Sequence, residues 1–493
     1  MSTKIQRIVA MDIRESHPHK KAYQTDLYYA KLANQLLDDF KQLQLDLGEQ
    51  TSPIMRYTSV LLANYMEDIV ADSGQWRAFS TLCQQMFGQT VPMYHNEGAE
   101  YYPDEPCFEA VRFLVWHAAT EMDDIWWGAD DSELKRMAMV AFDRLDKVFE
   151  QSPINDELSN DINNMLKQAG TDFQEMRLSL MWVFKDCYLT RSLAAEQLID
   201  NHLEESERMS AMMPSKSMRA FYAIMHCIFT YKIGPLALEP KEYVATLMHT
   251  KSMLREAQEM MDIELLPMGC YQYTIEDDGQ WLQLLRTNGQ TLRVAREEIT
   301  LDDDELRQHN GCCATFVKYL GAWHMNGIMI PIQDISSHWD EFVKEDYDYK
   351  AKGTCDITGE MMLEMSGGRE ILYFKETKDL KDYLMNNMHH QPEEYFDLLK
   401  KRNLTGKHPL LFIDKNAKKY ALHFSFDFTP CIADPANPYY DAAIAHKEAI
   451  EMFWNDQSIS TEAILWLLER NYIPDIYDDA LLSQESSPEE KQA

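Results

Sequence analysis

The fold turns on the stretch CYQYTIEDDGQWLQLLRTNGQTLRVAR, residues 270–296. Residues 270–275 alternate in character from one to the next, the two-residue period of a strand with one covered face. Asp278-Gly279 marks a turn. Asn288-Gly289 is a strong two-residue hairpin signal, because both turn residues need positive φ. The segments 281–286 and 291–296 are then the paired strands. A second pair follows at 314–320 and 328–332, across a turn region holding Gly321 and Asn326-Gly327; Pro331 makes the latter an edge strand. Consecutive hairpins over about 70 residues predict a small antiparallel barrel or curled sheet.

Upstream of this stretch the apolar period changes to three and four, the signature of helices with one buried face. Helices are expected at 24–47, 52–72, 75–87, after Pro103-Asp104, and at 131–151, 156–168, 172–187, 192–212, 215–232 and 240–262. Ser52-Pro53 reads as a cap followed by a first-turn proline. Downstream, strands are expected at 371–374, 409–414 and 420–428, and helices at 378–386, 392–401, 440–454 and 461–471. The fold class is α+β in segregated blocks. A helical domain covers 1–262, a β-rich hairpin or barrel-like module 263–335, an α+β module 336–474 and an acidic tail 475–493.

Charge narrows the function. The 493 residues carry 47 Lys and Arg against 81 Asp and Glu, a net −34. That disfavours general binding of nucleic acid, which needs a basic face, and docking on anionic membrane surfaces. The apolar run at 8–11 is too short for a signal-peptide core, and nothing approaches the roughly 18 apolar residues of a membrane helix. Nine scattered cysteines without a Cys-x-x-Cys argue against a disulfide framework or a structural zinc site and point to a cytosolic setting. There is no Walker A loop, dinucleotide glycine fingerprint or Gly-x-Ser-x-Gly elbow.

The succession Asn64-Tyr65-Met66-Glu67-Asp68-Ile69-Val70, Gly74-Gln75-Trp76-Arg77-Ala78-Phe79, Pro92-Met93-Tyr94, Tyr101-Tyr102-Pro103-Asp104-Glu105 and Val111-Arg112-Phe113-Leu114-Val115-Trp116-His117 carries a family likeness. It resembles an uncharacterised domain-of-unknown-function family of gut bacterial proteins, most clearly over 20–150. Gly321-Ala322-Trp323-His324-Met325-Asn326-Gly327 and Asp434-Pro435-Ala436-Asn437-Pro438-Tyr439-Tyr440 fit it as well. The resemblance implies a bacterial cytosolic protein and no catalytic residues. Physically these stripes read as packing, with Glu67 and Asp68 facing outward or capping a neighbour.

The strongest candidate constellation is His117, Glu121, Asp123 and Asp124, followed by Trp126-Trp127. His117 and Glu121 are four apart on one helical face, a spacing that lets an imidazole and a carboxylate ligate a metal or share a proton. The acidic run 302–305 after Thr300 reads as a capped, solvated helix start. In Cys312-Cys313, adjacent strand residues point to opposite faces, so at most one enters a shared site with His309 or His324. His17-Pro18-His19 and His389-His390 lack a third ligand of clear spacing and read as surface residues. Asp434 and Asn437 lie in a rigid, proline-flanked turn at a strand end, where binding groups tend to sit.

Two classes of function fit these features. One is a non-enzymatic interaction or regulatory protein that steers a basic protein partner to its acidic surface, with Trp126, Trp127 or Trp323 as anchors. The other is a metal-dependent hydrolase using His117 and the adjacent carboxylates. Cofactor and oligomeric state are not readable from the residues.

Overall fold

The computed structural model describes residues 6–87, 89–91, 94, 101–122, 127, 131–207, 213, 215–236, 238–299, 301, 303–344, 359–387, 408–415, 422–425, 428–445 and 461–473. They form an α+β protein whose helices dominate the N-terminal half. The backbone divides into two compact units. One takes in residues up to Leu265 together with Val317–Gly321, and the other holds Leu266–Phe316 and the described residues from Ala322 onward. Among the described residues no helix is long and apolar enough to cross a membrane.

In the first unit the helices follow the apolar period. They are α1 Ala10–Arg14, α2 Asp26–Gln42, α3 Thr51–Ala71, α4 Gln75–Phe87, α5 Phe108–Met122, α6 Ser132–Phe149, α7 Asp156–Ala169, α8 Phe173–Lys185, α9 Leu193–Glu207, α10 Lys216–Thr230, α11 Pro240–Thr250 and α12 Leu254–Met261. The aromatic stripes expected to pack do so. Trp76 meets Tyr65 edge-on and stacks with Phe79, which stacks on Phe113. Side-chain caps fix several starts: Asp131 accepts from the Glu133 and Leu134 amides, and Asn155 from the Leu158 amide.

Three expectations are corrected here. The helix expected at 240–262 is two, because Ser252 at φ 62° turns the chain left-handed between α11 and α12. The helix expected to start at Ser52-Pro53 begins at Thr51. No side-chain hydrogen bond caps it; instead Thr51 donates to the Gly48 carbonyl and accepts from the Leu47 amide. Finally, Glu67 and Asp68, expected to face outward or cap a neighbour, do not face outward, being 1% and 2% exposed, and Asp68 takes the capping role. Asp68 accepts from the Ser73 hydroxyl, the Gly74, Gln75 and Trp76 amides and the Tyr188 hydroxyl, and so caps the start of α4.

A closed barrel, most of whose residues belong to the second unit, is made of β1 Glu264–Ile275, β2 Trp281–Arg286, β3 Thr291–Ala295, β4 Gly311–Tyr319 and β5 Ala322–Ile332, in spatial order β1-β2-β3-β5-β4. Alternation fills it: Tyr271, Tyr273, Leu282, Leu284, Leu292, Val294, Cys312, Ala314 and Phe316 turn inward. The expected β2–β3 hairpin forms, but through a three-residue loop, 287–289, in which Gly289 alone is left-handed at φ 86°, so the two-residue turn with both residues at positive φ is not the one made. The barrel is not wholly antiparallel, since β3 and β5 pair in parallel at Val294 and Trp323. Of the turn region expected between β4 and β5, Gly321 makes the turn together with Leu320, at φ 79° and 50°, while Asn326 and Gly327 lie within β5. The short helix α13 Asp303–Gln308 joins β3 to β4 and bears the expected acidic first turn.

Beyond the barrel lie α14 Gly359–Met365, β6 Ile371–Tyr373, α15 Thr377–Asn387, β7 Leu410–Ile413, β8 Leu422–Ser425 and α16 Thr461–Glu469. The strands form an antiparallel sheet in order β6-β7-β8. The helix expected at 392–401, His389-His390 and the tail fall outside the described residues.

Candidate functional site

His17 was expected on the surface, yet it is 2% exposed. A local turn buries it. Pro18 starts a short 3-10 segment, and His19 and Lys20, at φ 54° and 52°, reverse the chain before α2. The Lys21 carbonyl thereby comes within 3.1 Å of His17 Nδ1. On the other side of the ring, His17 Nε2 lies 2.9 Å from Glu67 Oε2, supplied by α3. A carbonyl only accepts, so Nδ1 donates to Lys21, and the Glu67 carboxylate beside Nε2 favours the charged form of the ring. Burial pulls its pKa down, but the hydrogen bond and charge of Glu67, the Lys21 carbonyl and the charge of Asp26 outweigh that, and the net direction is upward.

Each carboxylate is held by its own donors. Glu67 Oε1 accepts from the Thr25 hydroxyl at 3.0 Å and the Asn155 amide at 2.8 Å. Thr25 precedes α2 without capping it, its hydroxyl being committed to Glu67. Asn155 does two jobs, capping α7 through Oδ1 and fixing Glu67 through Nδ2. Asp26, the first residue of α2, is fully buried. Its Oδ2 accepts from Arg14 Nε at 2.5 Å and the Tyr23 amide at 3.1 Å. Its Oδ1 accepts no hydrogen bond and stands 3.9 Å from His17 Nδ1. Above the site, Tyr23 and Lys21 both donate to Asp161.

His17, Asp26 and Glu67 each offer a ligand atom within 4.8 Å of the other two, all three residues buried; among the described residues this is the one such convergence of His, Cys, Asp or Glu. An imidazole with two carboxylates is a donor set for Zn²⁺ or another first-row ion. Sequence spacing hid the site, because Glu67 lies 50 residues from His17. The local signal was a pair of acids in the middle of an apolar helix, where an unpaired charge is costly.

The residues singled out by sequence sit elsewhere. His117 is buried on α5 with its ring parallel to that of Phe113, and its Nε2 has no hydrogen-bond partner. Burial lowers its pKa to about 4. Glu121, one turn on, accepts from the Leu193 amide at the start of α9; burial pushes its pKa up to about 7 against that hydrogen bond. Asp123, Asp124 and Trp126 lie outside the described residues. The Trp127 carbonyl accepts from Trp116 Nε1, and Trp127's own indole nitrogen is buried. Trp323 packs against the barrel core. Asp434 accepts from the Tyr373 hydroxyl and the Ala436 amide, while Asn437 donates to the Thr429 and Ile432 carbonyls, so both serve the turn they sit in. In the barrel, His309 Nδ1 contacts the Glu305 carbonyl and His324 Nδ1 contacts Glu298.

No curated protein and no solved structure matches this chain. A family model described as "Protein of unknown function (DUF3843)" matches residues 8–265 and 333–491, which takes in the whole His17 site and skips the barrel. Matched over most of its length, the chain belongs to the DUF3843 family.

Proposed function

We propose that the helical unit is a metal-binding module in which His17, Asp26 and Glu67 take a divalent first-row ion such as Zn²⁺ in place of the proton between His17 and Glu67. The observation that carries this reading is Asp26 Oδ1, a fully buried carboxylate oxygen to which no group donates. Leaving such an acceptor unsatisfied costs about 1–3 kcal/mol, more for a charged group, and a cation satisfies it. The imidazole nitrogen favours Zn²⁺ over Ca²⁺, Mg²⁺ and Mn²⁺, which prefer oxygen ligands. Thr25 and Asn155 orient Glu67 from behind, as outer partners of a metal ligand do. Because His17 must be neutral to ligate, binding releases a proton and weakens as the pH falls through the raised His17 pKa.

Calorimetric titration of the full chain with Zn²⁺ tests the reading. One ion is expected per chain, with Asp26→Asn losing at least about tenfold in affinity and His117→Ala keeping it. Absence of binding to the wild-type chain, with Zn²⁺ leaving its melting temperature unchanged, sinks the reading and leaves the cluster as a purely structural ion pair. The metal chemistry expected at His117 is better supported at His17, since among the described residues ligand groups converge at His17, Asp26 and Glu67, while the His117 ring lies parallel to that of Phe113.

A second reading, a non-enzymatic role with a basic protein partner, draws support from α9. Glu196, Asp200, Glu204 and Glu207 are all exposed and recur every three to four residues along one side of that helix. Association that slows with added salt, and fails after charge reversal of this stripe, is the expected behaviour; a salt-independent rate counts against it. A bacterial, cytosolic setting belongs to both readings, in keeping with the thiol state of the described cysteines.

A further inference from the structure

Closure of the barrel joins β4 back to β1. One cysteine from each strand meets the other across that seam. The Tyr273 amide donates to the Asn310 carbonyl at 3.2 Å. In an antiparallel ladder this register sets Cys270 directly opposite Cys313, at a position between hydrogen-bonded pairs, where facing side chains approach most closely. Their sulfurs are 3.0 Å apart and share a hydrogen bond. Both residues are half-buried, whereas Tyr271 and Cys312 next to them are fully buried in the barrel core. A disulfide needs sulfurs at about 2.05 Å and Cα atoms roughly 4.4–6.8 Å apart, and opposed residues of this kind lie about 4.5 Å apart. The bond therefore needs about 1 Å of sulfur movement and no change of register.

We propose that Cys270 and Cys313 form a reversible disulfide across the closing seam of the barrel, made by hydrogen peroxide and undone by thiols. The shared hydrogen bond and burial push the Cys313 thiol up. Either sulfur can make the first attack, and the step is the same from both. When Cys270 attacks, its thiolate takes one peroxide oxygen, the O–O bond breaks, and the departing hydroxide is protonated to water, leaving Cys270 as a sulfenic acid. The Cys313 sulfur then attacks the Cys270 sulfur. The S–S bond forms, the S–O bond breaks, and a second water leaves with the proton from Cys313. Two thiols lose two electrons and one peroxide becomes two waters. Cys312, on the inner face, takes no part. The pair belongs to the stretch that the family model skips, so the inference is independent of the metal reading.

The experiment uses the full wild-type chain, treated with hydrogen peroxide, alkylated, digested and mapped by mass spectrometry. Expected are a linked Cys270–Cys313 peptide, an intact mass lower by two hydrogens, reversal by dithiothreitol and a raised melting temperature of the oxidised form. In Cys313→Ser or Cys270→Ser the disulfide cannot form, and sulfenic acid should accumulate on the remaining cysteine and be trapped by dimedone. Recovery of both cysteines in alkylated form after peroxide overturns the proposal, as does pairing with other partners. The wild-type map requires no variant to fold.

Discussion

Replacing Glu67 by alanine or by glutamine separates charge from shape at the buried site. Glu67 is 1% exposed and accepts from His17, Thr25 and Asn155. Alanine leaves an imidazolium and an amide without an acceptor in a closed space, and breaking a buried pair this way costs about 3–5 kcal/mol. At about 2–4 °C per kcal/mol for a unit of this size, the melting temperature falls by on the order of 10 °C. Glutamine keeps an acceptor for Thr25 and Asn155 and offers an amide to a neutral His17, so it loses only the charged hydrogen bond, about 1.5–3 kcal/mol. That loss depends on pH. The folded-state pKa of His17 is raised above its unfolded value, so its contribution is complete below about pH 6.5 and disappears as the pH rises through the folded value. Urea unfolding of wild type and Glu67→Gln at about pH 5.5 and about pH 8.5 should give a gap that is wide at the lower pH and narrow at the higher. An equal gap at both refutes a charged His17. A cost below about 1 kcal/mol for Glu67→Ala refutes a closed site.

Further outcomes are expected elsewhere in the helical unit. His117, held neutral with its pKa lowered to about 4, draws stability down as the pH falls from about 6.5 toward that value, by about 3 kcal/mol in all. His117→Leu should abolish that acid-side loss, and urea midpoints across the range measure it. Asp68→Ala strips the acceptor from five donors at the start of α4 and should cost about 3 kcal/mol or more by urea unfolding. Ser252→Gly relieves the left-handed residue between α11 and α12 and should raise stability by about 1 kcal/mol, read as a higher melting temperature.

What the residues disclosed by themselves was local. The change from helical to alternating period near Leu265 coincides with the boundary between the two units. Gly289 marked its hairpin because it takes the positive φ that the loop needs, while Asn288 does not adopt it. Gly321 pointed to the β4–β5 turn, but its tightness did not show, because its first residue is Leu320, left-handed against its own preference. The parallel β3–β5 pair escaped because period reports which face a strand covers and says nothing of its neighbour. His17 sits among His, Pro and Lys, a solvent-like neighbourhood along the chain; its burial depends on α3 and α7 closing over it. Asn155 precedes the helix expected at 156–168, and its task of holding Glu67 is visible only once α3 and α7 are together.

The seam of the barrel also bears on how quickly this part of the chain acquires its form. The β2–β3 hairpin joins residues only a few positions apart, and such ribbons assemble in about 1–10 μs. The β1–β4 seam brings together cysteines 43 residues apart, after β2, β3 and α13 have been laid between them. The entropy of drawing in that length must be met before any seam contact rewards it. Refolding of the barrel should therefore show an early hairpin and a late closure, with β1 and β4 exchanging amide hydrogens until the last step.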